Sequence, residues 1–184
     1  MRQRVVVRPE TRRPIDQELW VRLPGAAVAL YRAAWRVIGA RPPSSRVRRA
    51  AVRALCRRGC EVLNRRDFEV AWVFVHPEIE SVNTPRVVEL GGLSPGSHGR
   101  EAWVEGQRRW LEDWEEFRYD GQEVVDLGGD RFLLLGRVKA TGRGSGVLVD
   151  SEWGLLYTVA DGLLAHERNF LDHAEALEAA GLPA

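Results

Sequence analysis

The end of this chain reads as a β-hairpin closed by a short helix, and no other segment constrains the fold as much. An apolar run over 147–159 leads to Asp161-Gly162, a pair suited to two-residue hairpin turns, whose central residues take positive φ. A second run, Leu163 to Leu171, follows, and then Ala174-Glu-Ala-Leu-Glu-Ala-Ala-Gly181. Two more strands are predicted upstream, over 118–126 and 131–140, separated by Gly-Gly-Asp and Gly-Arg-Gly-Ser-Gly turns.

The first half has helical periodicity instead. Helices are predicted from just after Pro24 to about 39, then over about 46–64, 68–75 and 100–116, with Ser45 and Asp67 as N-caps and Trp103, Trp110 and Trp114 at helical spacing. Short strands are predicted over 79–83 and 87–90, a loop over 91–99, and an undetermined Arg-rich arm over 1–22. Helices first and antiparallel strands afterwards give an α+β fold, with the helices packed on one face of a curved sheet. A chain of 184 residues supports one domain plus an appendage, here a basic arm and extra helix over 1–45 followed by a domain over 46–184.

Charge is unevenly spread. Residues 1–58 carry fifteen arginines against Glu10, Asp16 and Glu18, a net +12, whereas residues 59–184 hold 12 basic and 23 acidic groups, a net −11. Such a basic third can meet nucleic acid or an anionic membrane. Because its arginines are interspersed with small apolar residues, the reading adopted is a solvated helix face pairing with the acidic body, with no specific nucleic-acid partner. Cys56 and Cys60 have no partners at metal-ligand spacing, so buried thiols in a reducing compartment are expected, with no metal and no cofactor. The apolar stretch 23–40 is interrupted by Arg32 and Arg36 and is too short to span a bilayer. A cytoplasmic protein without a membrane span is the expectation.

Several local motifs, in their order, resemble the SnoaL-like polyketide cyclases within the nuclear transport factor 2-like superfamily. They are Cys60-Glu-Val-Leu-Asn-Arg-Arg-Asp-Phe68, His76-Pro-Glu-Ile-Glu80, Gly99-Arg-Glu-Ala-Trp103, Gly144-Ser-Gly-Val147 and Asp161-Gly-Leu-Leu164, followed by Phe170-Leu-Asp172. The resemblance implies a cone-shaped sheet with a pocket between its concave face and the helices, and often a homodimer. It does not imply one reaction, because the fold hosts many. Where ketosteroid isomerases have a base and a tyrosine, this chain has Asn83 and Gly59. Where limonene epoxide hydrolases have Arg-x-Asp and a second Asp, it has Arg137-Val-Lys139 and Asn169. Both activities are therefore disfavoured.

Strand alternation supplies a candidate site. With Asn169 inward, Glu167 and Leu171 follow, and the resemblance places Leu135, Arg137 and Lys139 inward beside Glu152, with Asn83 completing the cluster. Glu167 or Glu152 would act as general base and Arg137 as anion stabiliser, while Trp72 and Trp103 could line the apolar end. The competing reading is charge pairing that fills the cone. Trp153 and Tyr157 are expected on the outer, dimer-forming face. The function expected is binding of a small apolar organic molecule, with proton transfer or cyclisation on a carbonyl compound as its catalytic form. The alternative is a non-catalytic interaction module with a plugged cone and a basic arm.

Overall fold

The computed structural model describes residues 2–6 and 12–183. Its elements are β1 (Arg2–Arg4), α1 (Ile15–Arg22), α2 (Pro24–Gly39), α3 (Arg46–Asn64), α4 (Phe68–Phe74), β2 (Val75–Asn83) and α5 (Pro85–Gly91), then β3 (Gly96–His98), α6 (Arg100–Glu112), β4 (Trp114–Gly128), β5 (Arg131–Gly142), β6 (Leu148–Ala160), β7 (Leu163–Phe170) and α7 (His173–Ala179). The strands form one curved, unclosed sheet in the order β1-β4-β5-β6-β7-β2-β3. The long strands β4 to β7 pair antiparallel, as hairpins must, but β2 runs parallel to β7.

Local chemistry sets the boundaries. Ser45 accepts the Arg48 N–H at the start of α3, Asp67 accepts the Val70 N–H at the start of α4, and Asp172 accepts the N–H groups of Ala174 and Glu175 at the start of α7. Residues 87–90, expected as a strand, belong to α5. Pro85 in its first turn has φ already set for a helix, and this outweighs the β-branched pair Val87-Val88. The helix α6 ends at Glu112 and Trp114 opens β4. The presumed arm also contains regular structure, because β1 pairs with β4 and α1 packs against α2 and α4. Among the described residues, no helix is long and apolar enough to cross a membrane.

Each face of the sheet has its own core. On the concave face, Trp110, Tyr119, Val124, Leu134, Trp153 and Leu155 pack with Val52 and Cys56 of α3. On the convex face, Leu133, Leu135 and Phe170 pack with Ala176 and Leu177 of α7. Gly154 makes that second layer possible, since a Cβ there would lie 2.6 Å from the Ala176 Cβ. At the β6–β7 turn, Asp161 (φ 51°) and Gly162 (φ 78°) form the expected hairpin link. The turn abuts α2, and a Cβ on Gly162 would lie 3.0 Å from the Arg32 Cα.

Arg48 is 1% exposed, and its five N–H groups are all engaged. Nε and Nη2 donate to the two Asp126 carboxylate oxygens at 2.7 and 2.8 Å. Nη1 donates to the carbonyls of Gly39 and Arg41, and Nη2 also to that of Gly129. One side chain thereby ties α3 to the α2–α3 connection and to the β4–β5 turn. Burial alone would push the Asp126 carboxyl up, but the Arg48 guanidinium and the Gly128 N–H outweigh it and hold the carboxyl below the usual range. Other arginines of the basic third pair with acids: Arg13 with Asp67, Glu18 and Glu69, Arg58 with Asp16, and Arg2 with Glu123.

The outer edge of β4 is covered in pieces. β1 pairs with Glu123, Val124 and Val125. Further along, the Asn64 side-chain amide donates to the Tyr119 carbonyl at 3.0 Å and accepts the Tyr119 N–H at 2.7 Å. The Arg66 guanidinium donates to the Trp114 carbonyl.

Candidate functional site

Between the concave face and the helices α1 to α4 lies a cavity of about 240 Å³. Its wall is mostly apolar and strongly aromatic. Helices contribute Trp20, Tyr31, Phe74 and Trp103, while the sheet contributes Tyr119 and Tyr157. Residues ahead of Arg46 form part of the wall, because Gln17, Tyr31 and Ile38 line it as directly as Cys56 and Cys60 of α3.

Glu167 is the one acidic residue in that lining and is 4% exposed. Its Oε1 accepts three hydrogen bonds, from the Ser81 hydroxyl (3.2 Å), the Trp103 indole N–H (3.2 Å) and the Asn169 amide (3.0 Å). Among the described residues, no donor reaches Oε2 and no Lys, Arg or His forms an ion pair with the carboxylate. Asn169 is itself fixed by the Trp153 indole N–H, which donates to its carbonyl oxygen at 3.1 Å. The carboxylate is thus held at one oxygen by neutral donors and open at the other. Burial raises its pKa, and the three hydrogen bonds from Asn169, Trp103 and Ser81 oppose that rise without cancelling it.

Register explains which residues share this face. Glu167 stands opposite Tyr157 of β6 and opposite Ser81 of β2, and Asn169 stands opposite Leu155. Leu155 in turn stands opposite Leu134 and Tyr157 opposite Phe132 on β5. The concave side of β5 therefore carries Phe132, Leu134 and Val138. Burial keeps the Tyr119 and Tyr157 phenols protonated far above their ordinary range, so both are neutral hydroxyl donors at any physiological pH. The Tyr119 hydroxyl already donates to the Trp153 carbonyl at 3.2 Å.

Several expected site residues are elsewhere. Arg137 and Lys139 point to the convex side, where Arg137 bonds Asp150 at 2.8 Å and Lys139 is exposed. Glu152, opposite Arg137 in register, accepts the His173 N–H beneath α7. Leu135 packs in the convex core. The expected meeting of Arg137 with Glu167 does not occur, because the carried-over motif sets β5 one residue out of phase with β7, and a one-residue slip reverses every side chain. For the same reason Trp153 and Tyr157, expected outside, face inward. Asn83 aligns with Asn169, but its amide donates to the Ser94 carbonyl at 2.6 Å and it does not line the cavity. Leu171 packs in the concave core outside the cavity wall, and Trp72 is at the surface with the Arg100 guanidinium 5.2 Å from its ring centre. Of the expected set, Glu167, Asn169 and Trp103 are brought together. Ser81, Tyr119 and Tyr157 were missed, although alternation along β2, which sets Ser81 on the same face as Asn83, carried the signal for Ser81.

No family model matches the chain, and no curated protein matches it. Solved structures do. A nuclear transport factor 2-like protein of unknown function from Burkholderia pseudomallei superposes with a TM-score of 0.57 at 19% identity, covering 68% of this chain and 93% of that one. TerC, crystallised with polyporic acid, gives 0.53 at 19% identity over 65% and 90%. A SnoaL-like protein from Shewanella putrefaciens gives 0.53 at 10% identity over 68% and 82%. The element order, the cone and these superpositions agree: the chain has the fold of the nuclear transport factor 2-like and SnoaL-like proteins.

Proposed function

We propose that the protein binds a small, largely apolar organic molecule in the cavity, with a polar group of that molecule against Glu167. One observation carries this reading: an apolar cavity of about 240 Å³ contains a single carboxylate that is anchored through Oε1 and open at Oε2. A plugged cone, required by the interaction-module alternative, would place side chains where this space lies. TerC was co-crystallised with polyporic acid, which supports a ligand role for this fold without identifying the ligand here. Proton transfer on a carbonyl compound retains Glu167 as base but loses Arg137 as anion stabiliser. Tyr157, opposite Glu167, is the neutral donor that could replace it.

The test is mass spectrometry of small molecules released when the purified protein is denatured. The variant Ala54→Trp places an indole into the cavity wall and serves as the control. The expected result is a near-stoichiometric apolar compound from the natural protein and its loss from the variant. Equal release from both would argue against the cavity as the binding site.

A further inference from the structure

A carboxylate inside an apolar cavity is normally balanced by a cation, because an isolated buried charge is strongly disfavoured. Glu167 has no such partner among the described residues. Its three hydrogen bonds come from neutral groups, and all fall on Oε1. The cation lining the same cavity, Arg58, is already committed: its guanidinium pairs with Asp16 at 2.8 Å and lies 5.2 Å from the Trp20 ring centre. A negative charge on this carboxylate therefore has no counter-charge among the described residues.

The walls add a second, independent constraint. Trp20, Tyr31, Phe74, Trp103, Tyr119 and Tyr157 surround the space, and aromatic rings favour a cation over their faces. A neutral hydroxyl ligand could satisfy Oε2, but it would leave the carboxylate charge unbalanced. An anionic ligand would be repelled by it. We propose that the ligand is an organic ammonium, tertiary or quaternary, with an apolar body, whose positive charge sits against Glu167 Oε2 within the aromatic wall. This deepens the binding reading above and rests on it.

The other titratable groups facing the cavity do not compete with Glu167 near neutral pH. The phenols of Tyr31, Tyr119 and Tyr157 and the thiols of Cys56 and Cys60 are all pushed up by burial, so they stay neutral, while Ser81 and Trp103 carry no charge. The Glu167 carboxyl, raised when the cavity is empty, is stabilised in its ionised form when an ammonium binds. Linkage then makes ammonium binding tighten as pH rises through the Glu167 pKa.

Benzyltrimethylammonium and its neutral carbon isostere neopentylbenzene separate the possibilities, since they share shape and differ in charge. Calorimetric titration into the full-length protein should show the ammonium binding about tenfold or more tightly than the isostere, as expected when a desolvated cation meets aromatic rings and a carboxylate. Glu167→Gln keeps an oxygen for the three donors and removes the charge, so the preference should vanish while the isostere still binds. The pH profile of the natural protein is a readout that needs no variant: ammonium affinity should fall as pH is lowered and isostere affinity should not. Equal affinity for the two probes, or unchanged ammonium binding in Glu167→Gln, would overturn the ammonium assignment and leave the cavity reading standing. Binding of neither probe would overturn both.

Discussion

Replacing Arg48 by Met should be among the most damaging single substitutions in this chain. The methionine fills similar length but withdraws five donors, leaving Asp126 buried without its guanidinium and freeing the carbonyls of Gly39, Arg41 and Gly129. Removing one partner of a buried pair costs about 3–5 kcal/mol, and we take about 4 kcal/mol for Arg48→Met. With a urea dependence of about 2 kcal/mol per molar for a domain of this size, the unfolding midpoint should fall by about 2 M. The pH dependence gives a second check. In the natural protein the Asp126 carboxyl titrates below its unfolded value, so its contribution is full above that value and lost as pH falls through the folded one. In Arg48→Met the guanidinium no longer opposes burial, the carboxyl moves up, and protonation relieves the buried charge. The deficit should therefore narrow as pH is lowered from neutral toward about 4. Paired substitution to Arg48→Met/Asp126→Leu should recover much of the loss. Urea unfolding followed by tryptophan fluorescence measures all three. A loss below about 1 kcal/mol at neutral pH, or a double variant no better than the single one, would refute the argument that these contacts are dry and mutually dependent.

Gly154→Ala should destabilise by about 1–3 kcal/mol, because its Cβ would lie 2.6 Å from that of Ala176; thermal unfolding should show partial recovery on adding Ala176→Gly. Glu167→Gln should be more stable than the natural protein at high pH and lose that advantage at low pH. The raised carboxyl pKa means that the natural protein's stability declines as pH rises through it, and denaturant midpoints across pH would expose a flat difference if this is wrong. The basic N-terminal third should not bind duplex DNA measurably in about 0.15 M salt, where exposed charges are screened beyond roughly 8 Å; submicromolar affinity by fluorescence anisotropy would contradict the pairing seen for Arg13, Arg48 and Arg58.

The helices α2 and α3 were legible almost to the residue because Pro24, Ser45 and the Pro42-Pro43 break punctuate them chemically. Glu167 and Asn169 were placed on the correct face because alternation within one strand needs no partner. The transfer to β5 failed because relative phase between strands depends on register: β5 and β6 pair without a shift, but β6 and β7 shift at Thr158/Val159, between the hairpin turn and the site. Nothing in a run of alternating residues reports such bulges. Arg48 was hidden for a related reason: α3 is rich in arginine, and only the position of Asp126, 78 residues away, separates the buried one from Arg46, Arg49 and Arg53. The cavity wall mixes α1 and α2 with the sheet, a long-range contact that no local pattern contains.

The piecemeal closure of the β4 edge bears on how the chain behaves when crowded. An uncovered strand of 15 residues would offer a row of unpaired backbone groups to any extended segment of another molecule, the usual route to aggregation. Here β1 occupies part of that row, the Asn64 amide reproduces one strand pairing at Tyr119, and Arg66 takes the Trp114 carbonyl. Charged Glu115, Glu116, Arg118 and Asp120 discourage pairing along the rest. At the other end the sheet stops at β3, only three residues long. Any change that displaces β1 would bare the backbone of the apolar Val124-Val125 stretch to such pairing.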